Sequence, residues 1–278
     1  AISEELYSNV IEDVHEYPGW YKFNEQIWKF CRIIETNRLV IKGEYGAEAV
    51  DNYQTMVNNY PKEWGEIPAP SADTLIGHIQ CVKGSKKMFI GLHGKYPRNL
   101  QENIVASKHY QAYVLDETTK GYRVSPSHVS GYFQFHFIDV IPANWPKSIV
   151  SHDLTPKTGY YAMAQVNQPV VALPVMSELK DEIDLYVAND LNQVFFNACI
   201  SWKIFIEDNT LISDSIVTDI KACTAFRFAS ISSGKSIPKE TDVIKIRLTI
   251  HDSEGKYISK YERPVFIKAW RYKNRIFN

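Results

Sequence analysis

The stretch Leu39-Val40-Ile41-Lys42-Gly43-Glu44-Tyr45-Gly46 decides how the first half of this chain is read. Its β-branched start favours a strand, and the strand stops at a carboxylate followed by Tyr-Gly. A parallel barrel presents its catalytic side chains at the carboxyl ends of its strands, where a glycine lets the backbone turn sharply. Glu44 therefore stands where such a side chain would. Many strands also end in a glutamate that only meets solvent, so the flanking sequence has to separate the two readings.

Upstream, Val10 to Tyr17 (V-I-E-D-V-H-E-Y) predicts a strand closed by Pro18-Gly19. Asn24 predicts a helix N-cap, with Ile27, Phe30, Cys31 and Ile34 at helical spacing and an end near Asn37. Strand, helix, strand is a βαβ unit, which crosses over right-handed into a parallel pair. Downstream, Ala47 to Pro97 is broken by Tyr60-Pro61, Pro68-Ala69-Pro70 and Gly91 to Gly94, and reads as a functional loop region. Asn99 then predicts the cap of a long helix with Leu100, Ile104, Ala112 and Leu115 along one side. Val129 to Asp139 predicts a strand with Phe133, Phe135, Phe137 and Asp139 on one face, and a short helix at about Lys157 to Val166 follows Thr155-Pro156.

After Gln168-Pro169 the pattern changes. Ile183 to Val187, Ala198 to Ile206, Ala225 to Ala229, Val243 to Ile250 and Val265 to Trp270 are short alternating runs separated by Asp, Asn, Gly and Ser turns. They predict an antiparallel β-sandwich of immunoglobulin-like type. The expected division is an α/β domain over 1–170 and a sandwich over 171–278.

At 278 residues, 45% of them apolar, the chain can bury a sizeable core. Its 31 basic and 32 acidic residues leave a formal charge of −1, so no broad field favours nucleic acid or an acidic membrane. Basic clusters such as Lys83 to Lys87 are short and read as solvated loops. No run approaches the roughly 18 apolar residues of a membrane helix. The four cysteines, Cys31, Cys81, Cys199 and Cys223, have no C-x-x-C or other metal-like spacing, and buried free thiols are the default. Neither a cofactor nor a metal is called for. Cytoplasmic, periplasmic and secreted locations all stay open, and so does an oligomeric state.

The first part supplies only three β/α units, whereas a closed (β/α)8 barrel needs eight. It is therefore either a small open α/β sheet or the last three units of a barrel that begins elsewhere. Three stretches bear on the choice. His15-Glu16-Tyr17-Pro18-Gly19-Trp20-Tyr21 is similar to the N-R-Y-Y-G-W-Y-like segment at the sixth barrel strand of glycoside hydrolase family 2, the retaining exo-β-glycosidases that include β-galactosidases, β-glucuronidases and β-mannosidases. Gly43-Glu44-Tyr45-Gly46-Ala47 resembles that family's E-[FY]-G nucleophile motif at the seventh strand. Phe135-His136-Phe137-Ile138-Asp139-Val140-Ile141-Pro142, with Trp145 and Pro156-Lys157, resembles the eighth-strand pattern W-Q-x-x-D-x-W-P…W…R-P-K. The likeness spans residues 10 to 170, and a β-rich domain follows the barrel in these enzymes too.

The resemblance implies the C-terminal part of a TIM barrel followed by a sandwich, acting on an oligosaccharide or glycoside. Two carboxyls about 5–5.5 Å apart flank the bond in such an enzyme. Glu44 is implied as the nucleophile, and Tyr17 is the best candidate to orient it through a hydrogen bond. Substrate-binding positions implied or read as candidates are His15, Tyr17, Trp20, Phe135, Asp139 and Trp145. Asp139 reads equally as a sugar ligand and as a loop-capping carboxylate. His136 reads as a packed imidazole, Glu48 and Asp51 as a solvated loop, and Lys42 and Lys147 as weak candidates for a uronate site. The chain departs from the family where Phe135 and Ile141 replace tryptophans.

The family's acid/base lies in an Asn-Glu pair at the fourth strand. Asn24-Glu25 reads instead as a helix cap with a first-turn acid. The expectation is thus the C-terminal portion of a longer enzyme, completed by a missing N-terminal part and nearly inactive alone. A non-catalytic carbohydrate-binding or structural remnant is the alternative. A small unrelated α/β enzyme using Glu44 with His15 is a third reading.

Overall fold

A computed structural model describes residues 11–19, 39–60, 97–125, 129–142, 146–176, 182–232 and 236–267. The proposed helix from Asn24, together with Trp20, Trp145, Cys31, Cys81 and Lys83 to Lys87, lies outside them. The described chain is mostly β-sheet with few helices and forms two compact units. The first holds 11–19, 39–60, 97–118, 129–142 and 146–163; the second holds 119–125, 164–176, 182–232 and 236–267.

In the first unit, β1 (Glu12–Glu16), β2 (Val40–Tyr45) and β3 (Val129–Gln134) form a parallel sheet in that order. Pro18-Gly19 closes β1 as expected. Gly19 has φ of +100°, and a Cβ on it would sit 2.9 Å from Val114 Cγ2. The register of β1 on β2 shifts between Asp13 and His15. There the Gly43 N–H leaves the ladder and donates to Asp13 Oδ1 at 3.0 Å. A Cβ on Gly43 would lie 2.1 Å from that oxygen, so any other residue here would displace the Asp13 carboxylate.

Two expectations for this unit change. Strand β3 stops at Gln134 instead of running to Asp139. Its partner ends at Tyr45, and Phe135 N donating to Tyr45 O at 2.8 Å closes the pairing. Beyond it the chain is irregular, tied by Ile149 N to His136 O at 3.2 Å and Val150 N to Phe137 O at 2.9 Å. The segment after Glu44 is not solvated either: every residue from 45 to 51 is buried, Glu48 and Asp51 included. Ala49 N donates to Pro146 O at 3.0 Å and Val50 N to Ser107 Oγ at 3.1 Å, which satisfies its backbone inside the unit.

Helix α1 (Tyr53–Asn59) follows, within the region read as loop. Helix α2 (Leu100–Arg123) begins where Asn99 Oδ1 accepts the Glu102 N–H at 2.9 Å, the predicted cap. Its first turns are amphipathic, with Leu100 and Ile104 buried, but every residue from 110 to 125 is buried, so its second half has no solvent face. Helix α3 (Thr158–Val166) matches the expected short helix.

The second unit contains β4 (Val170–Met176), β5 (Glu182–Asn189), β6 (Phe195–Ile206), β7 (Asn209–Ile220), β8 (Thr224–Ser232), β9 (Ile244–His251) and β10 (Tyr257–Val265). They make two antiparallel sheets, ordered β4-β5-β8 and β10-β9-β6-β7. Alternating residues Ile200, Trp202 and Ile204 of β6, Ile246, Leu248 and Ile250 of β9, and Ile183, Leu185 and Val187 of β5 are buried. The Trp202 and Phe228 rings, 5.7 Å apart, join the two sheets. Pro174 and Pro264 both fall in edge strands, where a missing N–H costs no ladder bond. Of the last run expected as a strand, Val265 to Trp270, the described residues reach Ile267, and β10 ends at Val265. Cys199 is half-buried and Cys223 exposed, so the expectation of buried thiols does not hold for these two free cysteines.

Arg123 anchors this unit internally. Its side chain is buried; Nη1 donates to the carbonyls of Val166 and Gln168, the latter at 2.8 Å, and Nη2 pairs with Asp190 Oδ2 at 2.7 Å. No described helix is long and apolar enough to cross a membrane.

Candidate active site

Three neighbouring parallel strands bring Tyr17, Glu44 and Phe135 to one edge of their sheet: Tyr17 just after β1, Glu44 next to last in β2, Phe135 just after β3. The carboxyl edge of a parallel sheet is where loops splay apart and leave room for a ligand. The register sets His15 opposite Glu44.

Glu44 is the centre of this edge. Its side chain is 33% exposed. The Tyr17 hydroxyl donates to Oε2 at 2.5 Å, and His15 Nδ1 lies 3.5 Å from the same oxygen. Both partners thus address Oε2, leaving Oε1 clear of these contacts. His15 is half-exposed, with Nε2 3.4 Å from Asp13 Oδ2. Asp13 in turn holds the Gly43 N–H, so the backbone immediately before Glu44 is tied to the imidazole beside it.

Tyr17 is fixed as a donor. Burial, its hydrogen bond to Glu44 and the charges of Glu44 and Glu48 all raise its pKa well above the ordinary phenol value. Behind Tyr17 lies the Lys147 ammonium, 4.8 Å from the ring centroid and 3.0 Å from Glu48 Oε1. Lys42, the other cation weighed at the sequence level, is buried and pairs with Glu16 Oε2 at 2.7 Å. Both lysines are therefore engaged with carboxylates of this unit.

Phe135 is 41% exposed, its ring edge-on to His136 at 4.8 Å. The peptide bond between them is cis. His136 Nδ1 is 3.1 Å from Ile138 O, a local packing contact in line with the expected structural imidazole. Asp139 is engaged in the interior. It is 4% exposed, and its Oδ2 accepts from Lys157 Nζ at 3.2 Å, so an interior lysine takes up the carboxylate that sequence left open between ligand and cap. Trp20 and Trp145 lie outside the described residues. Among the described residues no group of His, Cys, Asp or Glu is arranged to hold a metal ion.

The sequence does not mark Asp13, and it reads Glu48 as a solvated loop residue and Lys147 as a weak uronate candidate where the structure pairs the two. Gly43, interrupting a β-branched run, was a signal for the bulge that recruits Asp13. Nothing local marks the Glu48–Lys147 pair, whose members are 99 positions apart.

No family model matches the sequence, and no curated protein matches it. The fold does match solved structures. A β-D-mannosidase from Dictyoglomus thermophilum superposes with a TM-score of 0.66 at 15% identity, covering 90% of this chain and 30% of that one. An exo-chitosanase from Amycolatopsis orientalis gives 0.62 at 11%, covering 92% and 30%. The fold of the chain resembles that of these glycosidases over most of its length. The likeness carried by three short motifs thus extends to the backbone of most of the chain, which spans about 30% of the length of these glycosidases.

Proposed function

We propose that this chain carries the nucleophile half of the active site of a retaining exo-β-glycosidase. In this reading its first unit is the last three β/α units of a (β/α)8 barrel, and an immunoglobulin-like sandwich follows. The observation that carries it is Glu44: a part-exposed carboxylate at the carboxyl end of a parallel strand, with Tyr17 and His15 both at Oε2 and Oε1 clear of them. The family 2-like fold supports it, as does a neighbour named for a β-D-mannosidase.

In the proposed reaction Glu44 Oε1 attacks the anomeric carbon of a terminal β-linked sugar while the bond to the leaving oxygen breaks. The leaving oxygen takes a proton from a second carboxyl. Water, deprotonated by that same group, then cleaves the glycosyl ester and releases Glu44. Tyr17 keeps Glu44 aimed through its hydroxyl; being neutral, it donates without adding charge. Phe135 floors the sugar subsite and His15 borders it, while Trp20 and Trp145 join them by sequence resemblance.

The second carboxyl is assigned outside the described residues. Near Glu44, Glu16 faces Lys42, Glu48 faces Lys147, and Asp13 accepts from Gly43 N and lies beside His15. Each of these carboxylates is already engaged within the first unit. The missing acid is proposed to come from an N-terminal part of the same enzyme.

The test is to treat the full-length protein with activated 2-fluoro glycosides and locate the ester by peptide mass spectrometry. Label on Glu44 is expected. Label on another carboxylate, or none while turnover proceeds, overturns the assignment. Sugar binding without turnover would favour the non-catalytic alternative.

A further inference from the structure

We infer that Lys147 is a positioning residue: paired with buried Glu48 and set against the ring of Tyr17, it fixes the tyrosine that holds Glu44. This rests on the reading of Glu44 given above, and goes beyond it by extending the working site to a charge pair that faces no substrate atom in it.

Both members of the pair are held from behind by amide side chains. Gln111 Nε2 donates to the carbonyl of Ala47 at 2.9 Å, next to Glu48, and to those of Lys147 at 3.3 Å and Ser148 at 2.9 Å. Gln134 Nε2, at the end of β3, donates to the Lys147 carbonyl at 3.1 Å. Ala49 N reaches Pro146 O at 3.0 Å. The segment that follows Glu44 and the segment that carries Lys147 are thus stitched together on both sides of the ion pair.

The charges explain why a cation belongs there. Tyr17 lies within the field of two carboxylates, Glu44 and Glu48, and Glu48 is 1% exposed. A buried carboxylate needs a compensating charge, and Lys147 supplies it while its ammonium rests on the electron-rich face of the phenol. The ammonium stands over the face of the Tyr17 ring, 4.8 Å from its centroid. Without Lys147, buried Glu48 loses a counter-charge at 3.0 Å and the ring loses the ammonium over its face, so the Tyr17–Glu44 hydrogen bond loses its fixed geometry. A loosened catalytic group loses rate even when it is not itself altered.

The experiment uses the full-length protein and the 2-fluoro glycoside that labels it. Lys147→Met should lower the rate constant of inactivation about ten- to thirtyfold with the inhibitor's binding constant unchanged, and Lys147→Arg should restore most of it. Glu48→Gln is the second variant, should Lys147→Met not fold, and should lower the same constant. Ring-carbon NMR of Tyr17, which needs no turnover, should shift in Lys147→Met and return toward wild type in Lys147→Arg. Weakened inhibitor binding with an unchanged Tyr17 signal would make Lys147 a substrate contact and overturn the inference; so would no change in either readout. If the wild-type protein takes no label on Glu44, the reading of the site fails, and the Tyr17 signal alone decides the positioning.

Discussion

Replacing Asp139 by Asn tests the interior pair that braces the chain beneath the site. Lys157 Nζ is fully buried and Asp139 nearly so, 3.2 Å apart. Lys157 also reaches Ala49 O at 3.5 Å and Ser148 Oγ at 3.4 Å, long contacts that cannot neutralise an ammonium. Asp139→Asn keeps the shape and removes the charge. Breaking a buried pair from one side costs about 3–5 kcal/mol. Asp51 and Asp153 still face Lys157 and Lys108 still opposes it, so about 3 kcal/mol is expected.

The pH dependence carries a distinct sign. Burial lowers the Lys157 pKa from its ordinary value of 10.5, and Asp139 works against that shift. Without Asp139 the folded pKa falls further, while the unfolded value stays put. Between the two values the unfolded chain binds more protons, so stability rises with pH, and more steeply in the variant. Urea unfolding at pH 7 and at pH 9.5 should show the deficit shrinking at the higher pH. A deficit below about 1 kcal/mol, or one that is the same at both pH values, would refute the reasoning. Asp139→Leu combined with Lys157→Met, which removes both charges, should recover much of the loss.

Two further outcomes follow from the geometry at Glu44. Tyr17→Phe deletes a 2.5 Å hydrogen bond to the proposed nucleophile and should slow formation of the glycosyl ester about 100-fold, measured by inactivation kinetics in the full-length protein; a change under threefold would sink the role given to Tyr17. Gly46→Ala would place a Cβ 2.5 Å from the Phe135 carbonyl oxygen, a backbone atom, and should cost about 1–3 kcal/mol in urea unfolding. An unfolding midpoint equal to wild type would show that β2 and β3 separate there without strain.

The Gly46 case also shows where local reading reached the right residue for another reason. Sequence suggested a glycine for a sharp turn after Glu44. The structure needs it because the chain passes against the end of β3, with no positive φ at that position. Likewise Asn99 was legible as a cap because capping is a contact between residues three apart, and the sandwich strands were legible because burial on one face imposes alternation. Helix α2 was only half legible: its periodicity announces one apolar side, yet Asp116, Glu117, Lys120 and Arg123 are buried as well. Nothing in a helical pattern says that partners elsewhere will take up those charges.

By itself, the sequence determined the order of β1, β2, α2, β3 and α3, the change to an alternating β-rich second half, and the placing of Tyr17 and Glu44 at strand ends. Each of these rests on interactions between near neighbours or on a strict period. Only the tertiary structure decided that the Tyr17 hydroxyl meets Glu44 Oε2, that Glu48 and Asp51 are interior, that Asp139 belongs to Lys157, and that Lys147 backs Tyr17. The reason is physical. A buried charge is tolerated only where a partner meets it, and which partner does so depends on how separate segments pack.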